Sequence, residues 1–121
     1  MYLIFDTETT GLPKNWKAPL TDFDNWPRCV QLAWQIHDKK GELIDVKNFI
    51  IKPDGYDIPF NAEKIHGIST DRALKLGVPI KEVLLEFVSD VKDSKFIIGH
   101  NVSFDNNIIG CELLRCGMPN L

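Results

Sequence analysis

A chain of 121 residues, 44% hydrophobic and 26% charged, is a single domain with enough apolar residues for a core, which excludes a disordered segment. Its net charge of −3 argues against gripping duplex nucleic acid by broad phosphate neutralisation, but not against holding one strand end in a narrow cleft. No apolar run spans a bilayer, no basic leader follows Met1, and Cys29, Cys111 and Cys116 have neither metal-knuckle nor redox spacing, so a reduced cytoplasmic setting is expected.

Residues 2–7 read as an apolar strand, central and covered on both faces. Residues 11–28 carry Pro13, Pro19 and Pro27 and form a loop, long enough for a connection between adjacent strands to mark it as functional. Residues 30–36 alternate and predict a half-buried strand; Asp38 to Gly41 turn the chain, and residues 43–51 make a third strand. Residues 61–67 are a short helix with an Asn start and a Gly stop, and Ser69 or Thr70 caps a short turn ending at Gly77. Pro79 opens a longer helix at its first position, with Val83, Leu84, Phe87, Val88 and Val91 at helical spacing toward the sheet. Residues 95–99 are a short central strand, and Asn101 or Ser103 caps a last helix stopped by Gly117 and Pro119.

The order β-β-β-α-β-α predicts an α/β fold: a three-strand antiparallel meander plus a fourth strand parallel to the first, reached by a helical crossover. The carboxyl ends of strands 1 and 4 then lie side by side, where ligands gather in such sheets.

Chemistry enters at the end of strand 1. Asp6 and Glu8, two residues apart on a strand, point to the same side. Two acids that close repel unless a proton or cation lies between them, and the fitting cation is hard, Mg²⁺ or Mn²⁺. Acid-x-acid pairs arise by chance roughly twice in a chain of this composition, and Asp22-Phe23-Asp24 reads as such an accident. The first pair differs in having a strand before it, a glycine turn after it, and Asp105 after strand 4. Alone, Asp105 reads as a first-turn acid complementing a helix dipole; with the pair, it completes a metal site. His66 reads as a partner for the dipole at its helix's C-terminal end.

Asp6-Thr7-Glu8-Thr9-Thr10-Gly11-Leu12 resembles the first motif of the DEDD-type, or DnaQ-like, 3′-to-5′ exonucleases, and Gly99-His100-Asn101-Val102-Ser103-Phe104-Asp105 resembles the second. Ile65-His66-Gly67-Ile68 matches a further signature between them. The resemblance implies a ribonuclease H-like fold and two divalent ions, Mg²⁺ or Mn²⁺, held by Asp6, Glu8 and Asp105 as catalytic acids together with one further acid. It implies phosphodiester hydrolysis at single-stranded 3′ ends, DNA more than RNA, releasing nucleoside 5′-monophosphates. The family includes the proofreading epsilon subunit of bacterial replicative polymerase, so a polymerase partner is implied. Thr9, Thr10 and Gly11 would offer backbone contacts to the terminal nucleotide; Leu12 would wedge against its base, Phe104 would shape the pocket, and Asn101 would hold the local geometry or touch substrate. Read without the resemblance, Leu12 and Phe104 are core residues and Asn101 is a helix cap.

The family's third motif, an acid with a His or Tyr, has no match here, and His37, His66 and His100 do not stand in for it. Residues 1–121 are therefore expected to be the N-terminal portion of one exonuclease domain, C-terminally incomplete and weakly active or inactive alone. An open sheet edge beside strand 4 predicts self-association or marginal stability. An exoribonuclease trimming RNA 3′ ends and a non-catalytic binding domain on the same fold are the rival readings.

Overall fold

The structure, a computed structural model, describes residues 1–99 and 102–121. Four strands, β1 (Tyr2–Thr9), β2 (Cys29–His37), β3 (Leu43–Ile50) and β4 (Phe96–Gly99), form one sheet in the order β3-β2-β1-β4. The first three are an antiparallel meander and β4 runs parallel to β1, as the order of elements predicts. Helices α1 (Phe60–His66), α2 (Thr70–Leu76) and α3 (Ile80–Lys92) separate β3 from β4, and α4 (Val102–Arg115) follows β4. The stretch expected to be a short turn is the helix α2, because the Ser69 hydroxyl accepts from the Arg72 amide at 3.1 Å and caps it. Pro79 stands one place earlier than expected, at the N-cap of α3. Ser103 lies inside α4 rather than at its cap, and Asn101 lies outside the described residues.

The core sits on one face of the sheet. Leu3 and Phe5 of β1 and Leu32 and Trp34 of β2 meet Val83, Leu84, Phe87 and Val91 of α3 and Ile108 and Leu113 of α4. The Phe87 ring lies 5.4 Å from Phe5 and 5.1 Å from Trp34, edge-on to the indole. Two expectations need correction. β1 is central, but only one of its faces is covered: Leu3, Phe5 and Thr7 are buried, while Ile4 and Asp6 point to an open side. β4 is an edge strand whose Phe96, Ile97 and Ile98 are half exposed. The first follows from α3 and α4, which cover the inner face, and the second from the strand order, which puts β4 at the edge.

A second cluster, Val30, Ile58, Ala62, Ile68 and Ala73, seats α1 and α2 against the far end of β2. Gly67 ends α1 with φ 76°, the left-handed conformation that a glycine adopts without a Cβ clash, and its amide returns to Glu63 O at 2.6 Å. That turn fixes His66 at the edge of α1.

Candidate active site

The site begins where β1 leaves the core. Strand alternation sends Thr7 inward with Leu3 and Phe5 and sends Asp6 and Glu8 outward. The pairing of β1 with β2 shifts register between Glu8 and Thr9, an irregularity of the kind that re-aims side chains at a strand end. Thr9 then closes a tight turn, its hydroxyl donating to Gly11 O at 2.7 Å.

Beyond β1 a cleft of about 450 Å³ opens, lined by Glu8, Thr9, Thr10, Gly11 and Leu12 on one side and by Asn61, Ile65 and His66 of α1 on the other, with Phe104 of α4 among its walls. Six of the residues expected at the site therefore share one space. Leu12 is 72% exposed, so it is no core residue. Phe104 serves both readings, packing on the core while lining the cleft, with its ring 5.5 Å from Trp16. Asp6 opens instead onto the adjacent concavity on the outer face of the sheet, beside Ala33, Gln35, Asn48 and Ile98.

Asp105 is placed differently from Asp6 and Glu8. It is 2% exposed in the first turn of α4, and its Oδ1 accepts the Thr7 hydroxyl at 2.7 Å on the inner face of β1. It still acts on Glu8 electrostatically. Partial burial, then Asp6, then Asp105 push the Glu8 carboxyl above the usual range, with His66 pulling the other way.

His66 belongs to the cleft as well as to the end of its helix. Its Nδ1 accepts from the Ile68 amide at 3.1 Å, which places the ring's proton on Nε2. That Nε2 is buried and finds no partner among the described residues, although the ring lines the cleft. The only signal for this in the sequence is its place in Ile65-His66-Gly67-Ile68.

The long loop is bound to α4 through a buried carboxylate. Glu112, with its side chain 1% exposed, accepts from Arg28 Nε at 3.0 Å, from Arg115 Nη1 at 2.7 Å and from the Cys29 amide at 3.2 Å. Arg115 Nη2 donates to Phe23 O and Trp26 O, and Asn25 and Asn15 bridge the loop internally. Thr10 and Arg28 bond reciprocally across its base. The loop is thus a packed wall of the site.

Similarity to known sequences decides the family: residues 3–120 match the one described as exonuclease, RNase_T. The chain belongs to that family. Among its relatives, the DNA polymerase III subunit epsilon of Rickettsia felis is 36% identical over 115 residues, covering 92% of this chain and 43% of that protein. The PolC-type DNA polymerase III of Streptococcus sanguinis is 31% identical over 121 residues, covering 99% of this chain and 7% of that protein. The chain thus spans less than half the length of these relatives. Exonuclease I of E. coli, solved with a dA16 oligonucleotide, superposes with a TM-score of 0.80 at 25% identity, over 98% of this chain and 24% of that one. The fold is accordingly ribonuclease H-like and the domain is of the DnaQ-like type.

The exonuclease family uses divalent metal ions, and the acids of this domain suit them. Asp6 and Glu8 share a face, and Glu8 resists ionisation because burial and two other carboxylates act on it; a hard cation with oxygen ligands relieves that repulsion. Among the described residues, no three His, Cys, Asp or Glu are gathered into a metal-holding group. The Asp6–Glu8 pair alone suits a hard cation, while the bond from Thr7 keeps Asp105 on the inner side of the strand. Burial pushes the thiols of Cys29, Cys111 and Cys116 up, which makes them weak nucleophiles. Among the described residues, no helix is long and apolar enough to cross a membrane.

Proposed function

We propose that this domain belongs to a cytoplasmic 3′-to-5′ exonuclease that shortens single-stranded DNA from its 3′ end and releases nucleoside 5′-monophosphates, in proofreading or repair. One observation carries the reading: a single cleft joins Glu8, the backbone of Thr9 to Leu12, and Phe104. Asp6 and Glu8 would hold divalent ions, joined by Asp105 once its carboxylate leaves the Thr7 hydroxyl, and the bound ions would supply Lewis-acid charge and an activated water at the scissile phosphate. The remaining work falls to the chain itself. Thr9, Thr10 and Gly11 present backbone to the terminal nucleotide, and the exposed Leu12 wedges against its base. Phe104 walls the pocket, and the unpartnered Nε2–H of His66 donates to the substrate. DNA as substrate is supported by the Exonuclease I neighbours solved with dT13 and dA16. A replicative polymerase as partner is supported by the names of the relatives, and a second copy of this chain meeting the β4 edge by its half-exposed apolar residues. Because residues 1–121 hold no match to the third motif, we propose that they alone cleave weakly or not at all.

The test uses Mn²⁺ titration and 5′-labelled oligonucleotides, DNA and RNA in parallel. Saturable Mn²⁺ binding that is lost in Asp6→Ala, with slow stepwise shortening of DNA from the 3′ end, supports the reading. Absence of Mn²⁺ binding would make this a non-catalytic binding module. Preference for RNA would move the substrate, and full family-level rates would overturn the weak cleavage proposed for residues 1–121.

A further inference from the structure

A second cleft lies on the other side of the Thr10–Leu12 turn from the candidate active site. It has a volume of about 470 Å³, and its walls include Gly11, Leu12, Lys14, Arg28, Tyr56 and Arg115. Thr10, Gly11 and Leu12 line both clefts, so the exposed Leu12 side chain stands on the ridge between them.

We propose that this second cleft is a phosphate subsite for single-stranded nucleic acid, with Arg28 as its main ligand and Lys14 assisting. It would hold a backbone phosphate upstream of the 3′-terminal nucleotide; this rests on the reading that the terminal nucleotide occupies the first cleft.

Three observations carry it. The first is unbalanced charge. Two guanidinium groups surround the single buried carboxylate of Glu112, and although Asp24 also lines the cleft, Lys14 offsets it. One net positive charge is left beside an open surface depression, where an anion is favoured. The second is free donor capacity. Arg28 spends its Nε on Glu112, while its Nη1 and Nη2 make no hydrogen bond among the described residues. Its guanidinium is stacked 4.5 Å from the centre of the Tyr56 ring, and Tyr56 is itself held by donating to Cys29 O at 3.2 Å. A fork fixed on two sides with its outer nitrogens open is pre-organised for bidentate phosphate binding, which a flexible lysine is not. The third is continuity. A strand whose 3′ end lies beside Glu8 meets the second cleft by crossing one turn of backbone, over a glycine that adds no side chain.

The experiment measures binding of 5′-fluorescein oligo(dT) of two, four and eight nucleotides, capped at the 3′ end with a phosphorothioate to prevent cleavage. Thymidine 5′-monophosphate serves as the ligand of the first cleft alone. Lys14 is exposed and makes no hydrogen bond or ion pair among the described residues, so Lys14→Ala leaves the fold intact; Arg28→Gln is used with its circular dichroism checked. We expect affinity to rise with oligonucleotide length in the wild type. Each substitution should weaken the eight-mer about tenfold, and Lys14→Ala, which touches none of the loop's internal bonds, should leave monophosphate binding unchanged. The slope of log affinity against log salt should fall by about 0.7 for each phosphate that is no longer neutralised. Unchanged eight-mer affinity in Lys14→Ala and in folded Arg28→Gln would overturn the subsite while leaving the first cleft standing. Failure of the wild type to bind either monophosphate or oligonucleotide would instead overturn the functional reading, and the subsite with it.

Discussion

Replacing Glu112 by Gln tests whether one buried carboxylate holds the loop wall of the site. The carboxylate accepts three hydrogen bonds, from Arg28 Nε and Arg115 Nη1 on one oxygen and from the Cys29 amide on the other. The carboxamide keeps the shape but turns one oxygen into a donor, so it must face either the amide or the guanidinium pair with like polarity. An orphaned buried donor costs about 1–3 kcal/mol, and removing one member of a buried ion pair costs about 3–5 kcal/mol. Arg28 retains 25% exposure and recovers some water, while Arg115 at 12% recovers less, which places the expected loss at about 3 kcal/mol. For a domain of 121 residues this is a fall in Tm of roughly 10–15 °C. Urea and thermal unfolding followed by circular dichroism measure it. In a double-mutant cycle with Arg115→Met, the two losses should fall short of additivity by about 1–3 kcal/mol. A loss under about 1 kcal/mol, or strict additivity, would show that the two arginines are held by solvent and the loop carbonyls rather than by Glu112.

Four further outcomes are expected. Burial pushes the Asp90 carboxyl up, but hydrogen bonds from the Lys47 ammonium at 2.9 Å and the Trp34 indole at 2.7 Å outweigh it, so the group titrates below the usual range. Its stabilisation is therefore present above the unfolded value near pH 4 and is lost as pH falls through the lowered value; Asp90→Asn should flatten the acid limb of a Tm–pH profile, and an unaltered limb counts against this. Gly77→Ala should cost about 1–3 kcal/mol by urea midpoint, because the added methyl meets Ala73 O and Lys52 N, the latter at 2.5 Å. Glu8→Gln should raise the metal-free Tm at pH 7, with the gain vanishing on acidification because the raised carboxyl is then protonated anyway; Mn²⁺ should stabilise the wild type more than the variant. His66→Phe should weaken thymidine 5′-monophosphate binding about tenfold, as one lost hydrogen bond implies, and His66→Gln should restore part of it; equal affinity in all three proteins would return His66 to a structural role.

The sheet can be read from the chain because its information is local. Alternation in residues 30–36, the turn at Gly41 and the crossover before β4 specify pairing without knowledge of distant neighbours. The first motif is equally local, and a turn of a few residues suffices to place Thr9 to Leu12 on one wall. What cannot be read depends on packing between distant segments. An apolar run such as Leu3-Ile4-Phe5 looks the same whether one face is covered or two, and only the placement of α3 and α4 shows that Ile4 is open. Asp105 follows the end of strand 4, so the topology alone brings it toward the end of β1; which face of β1 its carboxylate meets depends on the rotation of α4, and Thr7 decides that. Glu112 and Arg115 form a visible i, i+3 pair, yet nothing in the spacing reveals that Arg28 joins them across the fold. His66 looks like the end of a helix because its unpartnered nitrogen exists only in the folded cleft.

These dependences converge on β1. Its inward residues Leu3 and Phe5 pack in the core with Phe87 and Trp34, and its next inward residue, Thr7, holds Asp105. Its outward residues are Asp6 and Glu8. A slip of one residue against β2 would turn Thr7 outward and drive both acids toward the apolar core, at the cost of unpaired buried carboxylates. The aromatic packing of Phe5 thus selects not only the fold but the side of the sheet on which the acids stand. A substitution that loosens that packing, such as Phe5→Ala, acts on the site through register. Its effect on oligonucleotide binding should exceed that of a core cavity of equal cost made at Leu84 of α3, which carries no residue of the site on its own strand or helix. Equal losses of binding from the two cavities would show that β1 transmits only global stability, and that the acids keep their side of the sheet without Phe5.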